Sequence, residues 1–169
     1  MCRTKACWKV ATGLRYPNGL IQAPDGLIYV PSSMTGEIAV FEHVPREGFR
    51  RVALIKTNYS LDNISVDKNG DLYVAALPSA LKLIQAFNDP LNSRPPAAAL
   101  RIRKDPETGA YNVAKVLEDP EGEIISGATT VLHDAETGRL FFSSRSPPLD
   151  PHLGQDLFLF FPQSRKLAR

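Results

Sequence analysis

The chain has 169 residues, of which 43% are hydrophobic and 22% charged, and carries a formal net charge of +2. This is the composition of a globular chain with a core. Its basic residues are scattered apart from the run SRKLAR at 164–169, so no Lys/Arg stripe supports nucleic-acid binding.

The opening stretch MCRTKACWKVATG is too polar for a signal peptide or a membrane span, and the chain as given reads as soluble, with its compartment unassigned. Cys2 and Cys7 stand in a Cys-x4-Cys spacing with no cluster of Cys or His beside them, which speaks against structural zinc. A short local disulfide and two free thiols both fit that spacing. WKVAT (8–12) reads as the end of a strand, with Trp8 packing an edge. LIQ (20–22), the turn APDG (23–26) and LIYV (27–30) follow, with Pro fixing one dihedral and Gly accepting positive φ. The loop PSSMTGE (31–37) leads to IAVFEHV (38–44), and RRVALIKT (50–57) reads as an outer strand.

The pattern then recurs. NISVD (63–67), the hairpin signal KNGD (68–71) and LYVAAL (72–77) repeat strand, turn and strand. By analogy with the first unit, ALKLIQAF (80–87) is expected to be a third strand, although its spacing also permits a helix. The Pro-rich NDPLNSRPP (88–96) reads as a solvated loop, AALRIRK (98–104) as an outer strand and YNVAKVLED (111–119) as a further strand. A third unit begins at 121, with GATTVLHD (127–134), the turn AETG (135–138) and RLFFSSR (139–145). SPPLDPHLG (146–154) is loop, and DLFLFF (156–161) reads as a last strand.

Asn18 and Asn63 open equivalent units 45 residues apart, the period of a propeller blade of about 40–45 residues. The expected fold is all-β: a partial β-propeller of about three blades of four-stranded antiparallel sheet. Its regions are 8–60, 61–119 with a loop at 88–98, and an incomplete third at 120–161. Asn18, Asp62 and Asn63 place oxygen ligands at repeated positions that converge on the propeller axis. Such oxygens suit calcium, which takes about six to eight of them; the competing reading is that the two asparagines cap turns. Asp25, Asp67, Asp71 and Asp134 are expected to be turn residues. His43, His133 and His152 show no Ser-His-Asp order, and no Gly-x-Ser-x-Gly elbow occurs. Thr129 and Thr130 sit where the earlier units place Asn18 and Asn63, while Phe141 and Phe142 are expected between blades or at a substrate wall.

LDNISVDKNGDLYVAALPSALK (61–82), ATGLRYPNGLIQAPDGLIYV (11–30) and VLEDPEGEIISGATTVLHDAETGRLFFSS (116–144) resemble the paraoxonase/arylesterase family. The resemblance implies the C-terminal half of a six-bladed propeller with calcium in its tunnel, a hydrolase of aryl esters and lactones. It implies that Asn18, Asp62 and Asn63 are ligands of the catalytic calcium and act through it. Other ligands, and the histidine pair that would serve as general base, fall in blades before this chain. Leu77 replaces a pocket histidine of the family, which bears on aryl-ester specificity; Leu77, Pro78 and Thr129 are the expected pocket residues. The implied partner is a small-molecule ester or lactone, with self-association or further blades completing the ring. A catalytically inactive fragment and a calcium-binding, self-assembling module are the alternative readings.

Overall fold

The computed structural model describes residues 9–89 and 92–144, and the backbone alone of 2–3, 6–7 and 159–162. Trp8, His152, the loop 146–154 and the basic run at 164–169 therefore lie outside the described residues. Strands β1 (Cys2–Arg3) and β2 (Ala6–Cys7) form a small antiparallel pair whose register sets Cys2 opposite Cys7. The first large sheet runs in the order β3 (Ile21–Gln22), β4 (Ile28–Pro31), β5 (Glu37–Val44) and β6 (Gly48–Lys56). The second comprises β7 (Ser60–Val66), β8 (Leu72–Leu77), β9 (Ala97–Lys104) and β10 (Tyr111–Asp119). The third comprises β11 (Ala128–Asp134), β12 (Arg139–Ser144) and β13 (Leu159–Pro162). Every neighbouring pair is antiparallel and sequential, so each sheet is a meander.

Alternation of side chains gives each sheet two faces. Tyr29, Ile38 and Val40 of the first sheet pack against Leu72, Val74, Leu100 and Ile102 of the second. The other face of the second sheet, with Tyr73, Ala75, Ala97 and Ala99, packs against Val131, Leu140 and Phe142 of the third. Burying one such large side chain contributes about 1.5–3 kcal/mol, so these two seams hold the sheets together. The molecule is thus a partial β-propeller.

Tight turns link the first hairpin of each sheet. Asp25 Oδ1 accepts from Leu27 N, Asp67 Oδ1 from Asn69 N and Asp71 N, and Asp134 Oδ1 from Glu136 N. These carboxylates replace a backbone acceptor in each turn. Gly26, Gly70 and Gly138 follow them with φ between +67° and +85°.

Residues 80–87 correct the sequence expectation. They form helix α1 (Ala80–Asn88), and β9 takes the third place in the sheet with β10 outside it. Ser79 caps the helix by accepting from Lys82 N, and Ala, Leu, Lys and Gln favour it intrinsically. Residues 9–12 likewise form no strand.

Candidate functional site

Strand β7 carries Asp62 and Asn63 at an irregularity: its pairing with β8 shifts register between Leu61 and Ile64. Strand β11 has the same feature between Ala128 and Thr130, with Thr129 left out of the ladder. Such bulges break the alternation of a strand and re-aim the residues they contain. Asn18 precedes β3, where its N–H donates to Pro31 O at 2.9 Å. The three sheets thus each bring an off-ladder polar residue to the same end of the molecule.

These residues meet at a cavity of ≈ 510 Å³. Asn18, Ser33, Ser60, Asp62 and Thr129 supply its polar lining. Leu77, Leu83, Ile84, Phe87 and Pro95 supply an apolar wall, three of these residues coming from α1. Asn18 Nδ2 donates to Ser33 Oγ at 3.0 Å, and Ser33 Oγ donates on to Leu61 O at 2.7 Å. The Asn18 amide therefore leaves Oδ1 as its remaining acceptor. Asn63 lies beside the cavity rather than in its lining. Its Nδ2 donates to Asp62 Oδ1 at 3.0 Å and to Thr129 O at 3.1 Å, which ties the second sheet to the third.

The sequence-predicted residues Asn18, Asp62, Leu77 and Thr129 all line this cavity, whereas Pro78 does not. Sequence reasoning missed Leu83, Ile84 and Phe87, because a strand at 80–87 would have placed them in a sheet. Their i, i+1, i+4 spacing after a Ser cap was the available signal. Among the described residues, no group of three His, Cys, Asp or Glu gathers in a metal-binding arrangement. A cation here would rely on one carboxylate and on amide oxygens. Asn18, Asp62 and Asn63 offer hard oxygen atoms, which fit calcium in kind and fall short of its usual about six to eight in number.

His43 contacts the Phe49 ring at 5.2 Å on the β5–β6 hairpin, away from the cavity. His133 lies at the far end of β11 with its side chain 8% exposed and Nδ1 2.7 Å from Asp67 Oδ2. Elsewhere, burial pushes the Asp25 carboxyl up, but the Leu27 N–H, the Tyr29 hydroxyl and Lys104 together hold it below its ordinary value. Burial pushes the Tyr29 phenol far above its usual range, with Tyr111 and Asp25 adding to the effect.

The inner strands of this partial propeller thus bulge to deliver polar groups into a cavity walled by residues of α1. The model of the family described as Arylesterase matches residues 3–141, and the chain belongs to that family. It is 34% identical over 96 residues to serum paraoxonase/arylesterase 2 of Canis lupus familiaris, covering 56% of this chain and 26% of that protein. The Bos taurus protein of the same name matches with the same identity and coverage. The aligned stretch is thus about a quarter of each relative. Among solved structures, the PQQ-bound aldose sugar dehydrogenase of Streptomyces coelicolor is similar at 15% identity and a TM-score of 0.48, over 87% of this chain and 51% of that one. A protein of unknown function from Bacteroides caccae is similar at 13% identity and a TM-score of 0.47, over 78% of this chain and 39% of that one.

Proposed function

We propose that the chain forms part of the catalytic centre of a calcium-dependent hydrolase of carboxylic esters and lactones. The convergence of Asn18, Asp62 and Thr129, from three sheets, on one cavity with an apolar wall carries this reading. Membership of the arylesterase family supports the reaction class.

In this reading Asn18, Asp62 and Asn63 hold the ion, and Asp62 supplies the only carboxylate. Asn18, Asp62 and Asn63 would hold such an ion, which when bound would supply Lewis-acid polarisation of a substrate carbonyl. Ser33 orients the Asn18 amide, and the Thr129 carbonyl orients that of Asn63. Leu77, Leu83, Ile84 and Phe87 offer the apolar part of the substrate a hydrophobic wall. No described histidine lines the cavity, so this reading names no proton acceptor among the described residues. That same observation favours the second reading, a calcium-binding module or inactive propeller fragment that does not turn over.

Calcium titration by calorimetry on the wild type and Asp62→Asn tests the ligand assignment, with phenyl acetate and a δ-lactone as substrates. Asp62→Asn is expected to weaken calcium binding by about tenfold or more, ~1.4 kcal/mol. Equal affinity in both proteins would overturn the assignment. Calcium binding without hydrolysis of either substrate would favour the second reading.

A further inference from the structure

The chain contains two tripeptides of the form Asn-x-Ser in which x is not proline, Asn58-Tyr59-Ser60 and Asn63-Ile64-Ser65. This pattern is the acceptor signal for N-linked oligosaccharide, a bulky and hydrophilic group that belongs on a surface. The fold treats the two in opposite ways. Asn63 sits on β7 with its amide in the seam to the third sheet. Nδ2, the atom that would carry a sugar, donates to Asp62 Oδ1 at 3.0 Å and to Thr129 O at 3.1 Å. Ser65 Oγ donates to Val131 O at 2.7 Å, and Ile64 between them is 8% exposed. Both polar side chains of this tripeptide thus join β7 to β11. A sugar on Asn63 would remove one of its two hydrogen bonds and need space that β11 occupies.

Asn58 is exposed, at a bend in the short link between β6 and β7. The residues on either side of it give that link its shape. Thr57 N and Thr57 Oγ1 both donate to Gly36 O, at 2.8 and 2.9 Å. Tyr59 N donates to Thr57 Oγ1 at 3.3 Å, and the Tyr59 side chain packs against the core between the first and second sheets. The contact is close: a Cβ on Gly36 would lie 2.7 Å from Tyr59 O. Asn58 enters none of these bonds, so its amide stands outward from a link that its neighbours hold. Two residues on, Ser60 lines the cavity, which puts Asn58 at the cavity end of the molecule.

We propose that Asn58 is a site of N-linked glycosylation and that Asn63, despite carrying the same signal, is not. In the transfer, Asn58 Nδ2 forms a bond to C1 of an oligosaccharide carried on a lipid diphosphate. Nδ2 gives up one proton, the lipid diphosphate leaves, and nothing is oxidised or reduced. The sugar adds a hydrophilic group beside the cavity and replaces no hydrogen bond of the link that carries it. The site holds whatever the cavity binds, and so stands apart from the hydrolase reading.

The test is expression of the full chain behind a cleavable secretory leader in mammalian cells. The leader supplies delivery to the glycosylating compartment, and every chain that has lost its leader is analysed, whether in the medium or in the cells. Release of the glycan by an amidase turns the modified asparagine into aspartate, which tandem mass spectrometry places in the sequence. The wild type is expected to carry one glycan per chain and to show aspartate at 58 and asparagine at 63. Asn58→Gln and Ser60→Ala, which break the signal at its two ends, are each expected to carry none. An unmodified wild type, a glycan at 63 alone or at both positions, or a glycan that persists in Asn58→Gln would each overturn the proposal. Made in bacteria without the leader, Asn58→Gln is expected to unfold at the same temperature as the wild type. A lower midpoint would show that the Asn58 amide serves the fold and would overturn the proposal from that side. Calcium binding and ester hydrolysis, measured separately, report on the hydrolase reading alone.

Discussion

Asp67 Oδ2 lies 2.7 Å from His133 Nδ1, at the end of β7 and β11 away from the cavity. The two side chains are 1% and 8% exposed. They form the last rung of a ladder between these strands. Asn63 Nδ2 donates to Thr129 O and Ser65 Oγ to Val131 O, each pair 66 residues apart, as Asp67 and His133 are. A histidine–aspartate pair can resemble catalytic machinery, but this one sits in a hairpin turn and fixes the register of the strands that carry Asp62 and Thr129.

Removing one partner should therefore cost stability. His133→Ala leaves a buried carboxylate oxygen without its partner and deletes the stack on Tyr73, at an expected cost of about 2 kcal/mol. Urea unfolding measures it. Lys68→Ala, which breaks the exposed pair with Glu136 at 2.6 Å, serves as the comparison and should stay within about 0.5 kcal/mol. Equal effects of the two changes would refute the assigned role.

On the hydrolase reading proposed above, the wall formed by α1 should select substrates by their apolar length. Ile84 and Phe87 are 56% and 60% exposed although they border the cavity. Ile84→Asp and Phe87→Asp should each change stability by less than about 0.5 kcal/mol. In an assembly with activity, wild type should prefer an aryl butyrate to the acetate by up to about fifteenfold, from two further methylenes at ~0.8 kcal/mol each. Either variant should erase that preference. Equal kcat/KM losses on both esters would exclude a chain-binding wall.

Asp25 gives the fold an acid-sensitive link between the first and second sheets. Its carboxylate accepts from Tyr29 Oη at 2.8 Å and from Lys104 Nζ at 3.1 Å. Because its folded pKa is held below the ordinary 3.8, its stabilisation is present above that value. It is lost as pH falls through the folded pKa. Asp25→Asn should therefore be less stable than wild type at pH 7. The two unfolding midpoints should converge once pH falls well below 3.8. A gap that persists under those acidic conditions would mean that Asp25 acts by packing rather than by charge.

Gly19 couples backbone geometry to Asn63. It has φ +70°, and a Cβ there would lie 3.1 Å from Asn63 Oδ1 and 3.3 Å from Asn63 Cα. Gly19→Ala should cost about 1–2 kcal/mol from the left-handed backbone and, on the calcium reading proposed above, should also weaken calcium binding by displacing Asn63. Gly26→Ala is the control: φ is +81° and nothing lies within 4 Å. It should show a similar loss in thermal unfolding with calcium affinity unchanged. Equal calcium affinities in both variants would remove Asn63 from the ligand set.

What the sequence by itself determined was local. Short apolar runs and Asp- or Asn-bearing turns with glycine mark β4, β7, β8, β11 and β12, because strand preference and turn conformation depend on neighbouring residues. The spacing of Asn18 and Asn63 revealed the repeat, and with it the partial propeller. Repetition also misled: analogy with β5 made 80–87 a strand, whereas the Ser79 cap and the helix-favouring composition win there and β9 takes the vacant place in the sheet. Only the tertiary structure decided that Asp62 and Thr129 escape their ladders at matching bulges and share a cavity with residues of α1. It alone paired Asp67 with His133. These relationships join residues from different sheets, and sheet-on-sheet packing sets them where no local pattern of residues can.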